Sequence, residues 1–203
     1  SVHPFYLLAT EVTEELYFQF LQDNPDWAPT QKSTLIARGW VDTGYLNSWN
    51  GSLEPPHPSY PVREVSYFAA KAFCNWLGKK YPEYHFDLPK EVEWEWAAML
   101  DTGKRPVQLP REIRPVHLGD AGEWGLRYIL GNVWEWTEDW YAPYSNLFPG
   151  LGLDQGVEKV VRGGSFVNSL ENLSVSTRGS QPPNWCTPYL GFRVKAVPKE
   201  WKR

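Results

Sequence analysis

The chain predicts an α+β fold, rich in loops and poor in long regular elements, on three observations. The first half carries one strand-like segment and two or three amphipathic helices, whereas the second half loses helical periodicity and shows only short β-branched runs. The 203 residues include 16 Gly and 18 Pro but a single Met. Twelve Trp, 11 Tyr and 9 Phe make the chain 16% aromatic, so large flat side chains rather than long helices must hold an irregular backbone. The length is that of one ordinary domain, taken as residues 1–203. The start at Ser1, with no initiator Met, reads as a domain excised from a longer protein.

In chain order, Phe5 to Val12 is aromatic and β-branched enough for a strand. Thr13 then has the chemistry of an N-cap, and Glu14 and Glu15 complement the positive end of a helix. Leu16, Tyr17, Phe20 and Leu21 supply its buried stripe, and Asn24-Pro25 ends it because proline disfavours helix at the preceding residue. Pro25 to Pro61 has no sustained periodicity apart from a short helix over Gln31 to Arg38, so it reads as a surface excursion pinned by Trp27, Trp40 and Trp49. Ser66 caps the clearest helix, with Ala69, Ala72, Phe73, Trp76 and Leu77 on its inward stripe and Cys74 as packing. A third helix follows Leu88-Pro89, with Val92, Trp96 and Leu100 on one face and Glu91, Glu93 and Glu95 near its start. Lys159 to Arg162, Leu173 to Arg178 and Gly191 to Val197 read as strands.

Composition removes several functions. The formal charge of −4 has no basic tract or arm, which excludes nucleic acid, and no apolar run long enough to span a bilayer occurs at a mean hydropathy of −0.50. Cys74 and Cys186 are the only thiols, so there is no disulfide framework, CxxC redox pair or Cys-rich zinc site. His3, His57, His85 and His117 are scattered, with no i, i+4 pair and no HExxH frame.

The most informative stretches lie in the second half. In GNVWEWTEDW, Gly131 and Asn132 suit a tight turn, Trp134, Trp136 and Trp140 can fill a core too irregular for aliphatics, and Glu135 and Asp139 are free to bind backbone N–H groups or a cation. Gly163-Gly164 permits positive φ and a sharp strand exit. Arg162, Arg178 and Arg193 either bond strand-end carbonyls, pair with acids such as Glu135, or bind an anionic ligand.

Four blocks together resemble the formylglycine-generating enzyme family, or sulfatase-modifying-factor domain, whose fold is an elaborated C-type-lectin fold. They are EVTEELYFQFL at 11–21, PVREVSYFAAKAFCNWLGKKYPEYHFDLPKEVEWEWAA at 61–98, GLRYILGNVWEWTEDWY at 125–141, and KVVRGGSF with STRG and LGFRV between 159 and 194. In the family's enzymes, the resemblance implies a copper ion held by two cysteine thiolates just downstream of GGS. Here those positions fall on Asn168 and around Glu171 to Leu173, and no Cys lies between Cys74 and Cys186. Soft thiolate is what Cu(I) requires. The resemblance further implies a calcium site, with carbonyls at Gly131 and Val133, the Glu135 carboxylate and an Asn that is Tyr128 here. Calcium is therefore a possible ligand, but no cofactor is required. Trp134, Ser165, Asn168 and Arg178 match the wall of the family's substrate cleft.

These readings lead first to a noncatalytic module that binds a protein or peptide and is joined to other domains. Domains resembling it form the variable tips of diversity-generating retroelement proteins and the C-terminal domains of bacterial kinases. Its binding surface would be Trp134, Ser165, Asn168, Ser169, Glu171, Asn172, Ser174, Arg178, Asn184, Trp185 and Tyr189, an Asn-, Ser- and aromatic-rich set framed by rigid motifs. The retroelement version expects Asn168, Ser169, Glu171, Asn172, Ser174, Asn184, Trp185 and Tyr189 to be exposed and tolerant of substitution. The alternative is a metal-dependent oxidoreductase of the family with altered ligands, or an acyl or hydrolytic activity using Cys186 or Ser165. A sugar-binding lectin is a third reading, but it lacks an EPN-type motif.

Overall fold

Two small sheets and four helices organise the chain in the computed structural model, which describes residues 2–103, 109–142 and 156–201. The elements are β1 (Tyr6–Leu7), α1 (Glu14–Asp23), α2 (Lys32–Ala37), α3 (Tyr67–Lys80), β2 (Tyr84–Asp87), α4 (Glu91–Thr102), β3 (Trp134–Trp140), β4 (Lys159–Arg162), β5 (Arg178–Gln181), β6 (Leu190–Gly191) and β7 (Lys195–Pro198). One sheet has the order β1-β7-β2 and the other β5-β4-β3-β6. The fold is thus α+β and loop-rich.

The helices form for the reasons their sequences give. The Thr13 hydroxyl accepts from the Leu16 N–H at 3.1 Å, and Ser66 does the same for Ala69 at 3.0 Å. Glu93 reaches back to the Lys90 N–H at 2.7 Å and so closes the first turn of α4. Tyr17, Phe20 and Leu21 of α1 meet Phe73, Trp76 and Leu77 of α3 in the main core, with Phe20 and Phe73 in an edge-to-face contact at 5.7 Å. In the excursion before α3, Trp49 is buried and Trp27 stacks on Trp40 at 5.4 Å.

Four expectations need correction. The strand over Phe5 to Val12 is regular only at Tyr6–Leu7. Beyond it, Leu8 and Val12 bond the carbonyls of Val194 and Phe192 separately, while Glu11 turns into the core. Leu173 to Thr177 is not strand, because Ser174 and Thr177 bond each other's backbone and side chains in a turn, so β5 starts at Arg178. Gly191 to Val197 is split. Leu190–Gly191 pairs in parallel with β3, and Lys195–Pro198 joins β1 and β2 in the other sheet. Finally, Val92, Trp96 and Leu100 share a face of α4, but that face points to solvent, with Trp96 51% exposed, whereas Trp94 and Ala98 are buried. The strands β2 and β3 carry no strong β-branched signal and emerge only from pairing.

Candidate functional site

The site is built around Trp134, the first residue of β3. Gly131 and Asn132, at φ 83° and 62°, make the turn that enters this strand. The side chain of Asn132 locks the turn by accepting from the Arg114 N–H at 2.9 Å and donating to its carbonyl at 3.2 Å. The Trp134 N–H then bonds the Tyr189 carbonyl at 2.8 Å, and its indole N–H bonds the Asn168 side-chain oxygen at 3.1 Å. The same oxygen accepts from the Ser165 N–H at 2.9 Å and from its hydroxyl at 3.2 Å. Gly163 and Gly164, at φ 96° and 72°, give the strand exit that places this loop, as their sequence predicts.

Trp134, Ser165, Asn168 and Tyr189 therefore come together. Beside them lies a cleft of about 140 Å³ lined by Trp134, Val161, Gly179, Gln181, Tyr189 and Leu190, together with Ser180. Gly179 is required there, since a Cβ would stand 2.9 Å from Val161 and 3.3 Å from Trp134. Gly179, Ser180 and Gln181 were not anticipated as site residues. Their only signal is a glycine following Arg178 in a strand-end position. A larger cavity of about 850 Å³, between the end of α4 and the 109–130 segment, shares no lining residue with this cleft.

The other candidates are distributed differently. Ser169, Glu171, Asn172 and Ser174 are exposed on the loop that follows Asn168, whereas Asn168 itself is partly buried. Arg178 is turned away from the cleft. It grips Glu91 at 2.5 and 2.9 Å and the Ala142 carbonyl at 3.1 Å, joining β5 to α4. Arg162 completes that clasp through Glu91 at 2.7 Å and Glu95. Arg178 thus holds the scaffold rather than a ligand. Asn184 and Trp185 lie on a separate loop that is docked by the Tyr67 N–H on the Pro183 carbonyl and the Glu64 N–H on the Thr187 carbonyl. Asn184 and Tyr189 are partly buried, and Trp185 is 46% exposed.

Neither metal implied by the resemblance fits these residues. The first copper position offers an amide oxygen already holding three donors, and both thiols lie elsewhere and are buried. For calcium, the Glu135 carboxylate is fully buried and committed. Arg193 reaches it through Nη2 at 2.9 Å and Nε at 3.1 Å, and the Trp94 indole N–H bonds it at 2.8 Å. Arg193 also donates through Nη1 to the Leu8 carbonyl and through Nη2 to the Arg127 carbonyl. A guanidinium seated on the carboxylate repels a divalent cation, so Gly131, Val133 and Glu135 do not make a calcium site. Among the described residues, no cluster of three or more His, Cys, Asp or Glu side chains has metal-binding spacing.

Covalent chemistry is equally unsupported. Cys186 is 3% exposed, and burial pushes its thiol well up against the pull of a hydrogen bond from the Asp42 backbone. Ser165 is fully buried, and its hydroxyl faces the Asn168 amide oxygen, which is not a base.

This architecture and the motifs framing the cleft define a sulfatase-modifying-factor-type domain. The model of the sulfatase-modifying factor enzyme 1-like domain matches residues 1–112 and 100–196, and the chain belongs to that family. It is 31% identical to the serine/threonine-protein kinase Pkn1 of Chlamydia trachomatis over 93% of its own length and 32% of the kinase. It is 29% identical to the formylglycine-generating enzyme of Mus musculus, over 94% of this chain and 56% of that one. The chain thus spans about a third to about a half of these relatives. Among solved structures, Treponema denticola variable protein 1 superimposes with a TM-score of 0.66 at 24% identity, covering 96% of this chain and 84% of that one, which shows a shared fold.

Proposed function

We propose that this domain is a noncatalytic binding module that recognises a protein or peptide through the surface formed by Trp134, the 165–174 loop and the 182–189 loop. The observation that carries the reading is the Asn168 oxygen. At the position where the family resemblance places a thiolate, this chain has an amide that ties Trp134 and Ser165 into a rigid wall. Exposed Ser169, Glu171, Asn172 and Ser174 on one side, and exposed Trp185 on the other, surround that wall with adaptable polar groups and an aromatic anchor. Similarity to a kinase three times the length of this match supports attachment to other domains. Likeness to a protein entitled variable protein 1 supports use of the loops for recognition.

The test is capture of peptides from a displayed library of random heptapeptides by the immobilised chain, with Trp185→Ala as control. Enrichment that weakens in the variant supports the reading. A metal titration followed by native mass spectrometry is the counter-test. Stoichiometric copper or iron, or turnover of a cysteine-bearing peptide, overturns it in favour of the oxidoreductase.

A further inference from the structure

The outer face of α4 reverses the usual arrangement of a surface helix, and it is separate from the Trp134 cleft. All four exposed residues of the helix are apolar: Val92, Trp96, Met99 and Leu100, between 36% and 58% exposed. Its acids are instead tied inward, Glu91 to Arg162 at 2.7 Å, Glu93 to Lys195 at 2.8 Å, Glu95 to Arg162, and Asp101 to the N–H groups of Trp124 and Leu126. Val92, Trp96, Met99 and Gly103 follow one another at steps of four, three and four residues, the spacing of a helix–helix seam. Such a stripe ordinarily packs against a core, and here it meets solvent. Trp124, 72% exposed, stands at the Gly103 end of the helix, because its N–H bonds Asp101 at 2.8 Å. Beside Gly103 lies the carboxylate of the exposed Glu123, 3.5 Å from where a Cβ would stand.

We propose that this face is the seam of a weak homodimer, in which α4 packs antiparallel against α4 of a second copy about a two-fold axis. Self-complementarity selects a second copy over another occupant. Antiparallel overlap centred between Trp96 and Met99 sets Trp96 against Met99 of the second copy, a sulfur–aromatic contact, and Val92 against the bare Gly103. The same overlap brings the exposed Lys90 of one copy to Glu123 and to the negative C-terminal end of α4 in the other, so the two ends of one patch complement each other. Glu93 and Glu95 are already paired within each copy, so two chains of like net charge meet there without unpaired acids. The four side chains expose roughly 400 Å² and Trp124 roughly 200 Å² more, against about 800 Å² per partner in a standard stable interface. Association is therefore weak, with a dissociation constant on the order of 10–100 µM. Acidic flanks also disfavour a lipid surface, for which an interfacial helix carries Lys and Arg.

Sedimentation equilibrium of the chain from about 5 to about 500 µM tests this. The weight-average mass should rise from 23.5 kDa toward twice that value. Trp96→Lys and Met99→Glu should each weaken the dimer by at least about tenfold. Both sites are exposed, so circular dichroism and the unfolding midpoint should stay near wild type and show that the variants fold. An equimolar mixture of the two variants should recover association, since the new cation and the new anion then face each other across the seam. Wild type that stays monomeric at the highest concentration overturns the proposal, and so does a dimer that neither substitution weakens. A mixture that stays monomeric overturns the antiparallel pairing and the proposal with it. Flotation of wild type with neutral phosphatidylcholine vesicles, lost in Trp96→Lys, gives the face to lipid and overturns it as well. None of these outcomes touches the peptide-binding reading.

Discussion

The side-chain oxygen of Asn168 accepts the indole N–H of Trp134 at 3.1 Å while also holding the N–H and hydroxyl of Ser165. One amide thereby fixes the orientation of the ring that forms the cleft wall. Replacing Asn168 with Ala strands two or three donors in a partly buried loop, and should cost about 1–3 kcal/mol. Ser169→Ala, one residue along and exposed, should stay within about 0.5 kcal/mol. Urea denaturation midpoints of the two variants decide this. Equal tolerance at both positions would restore Asn168 to the freely variable set.

The buried pair of Arg193 and Glu135 links the β3 strand to the crossover between the two sheets. Removing one partner leaves an uncompensated charge, so Glu135→Ala should destabilise by about 3–5 kcal/mol or prevent folding. Adding calcium to wild type should leave its thermal midpoint unchanged. A calcium-dependent rise of several degrees would show that the carboxylate exchanges its guanidinium for the ion.

Stability should fall as pH rises through neutrality. Burial, with the neighbouring Glu135 charge, pushes Glu11 up to about 8 against the pull of Arg193, and burial pushes Glu14 up to about 7. An unfolded glutamate titrates near 4.5. The folded state therefore holds extra protons between about 4.5 and 8, and the stabilisation is complete below that window and gone above it. Both oxygens of Glu11 lack hydrogen-bond partners among the described residues, consistent with a neutral acid. Denaturation midpoints from pH 5 to 9 should decline, and Glu11→Gln should flatten the decline.

Cys186 should be inert. With a buried thiol pushed upward, labelling by a thiol-reactive dye in native buffer should be slow and should become fast only on unfolding. Cys186→Ser should leave peptide capture unchanged. Rapid native labelling would bring back the nucleophile reading.

The two sides of α4 should respond in opposite ways. Trp94→Phe removes a buried indole N–H bonded to Glu135 and should cost at least about 1–2 kcal/mol. Trp96→Gln, on the exposed face, should alter the unfolding midpoint by less than about 0.5 kcal/mol.

Much of this molecule is local and therefore readable from the chain. Thr13 and Ser66 cap their helices because a hydroxyl three residues before an N–H needs no distant partner. Gly131, Gly163 and Gly164 occupy the positive φ that their lack of a side chain permits, and the framing motifs gave the fold and the missing thiolate pair. What depends on distant residues was not readable. Pairing of arginines with acids such as Glu135 is one of the readings the chain allows, but which arginine reaches which acid is not legible: Arg193 takes Glu135, and Arg178 takes Glu91, 87 positions earlier in sequence. The outward turn of Val92 and Trp96 likewise follows from which face of α4 meets the sheet. Local chemistry sets caps, turns and glycines. Pairing of charges, the cleft beside Trp134 and the side that faces water are set by segments far apart in sequence, because only packing determines which partner reaches each group first.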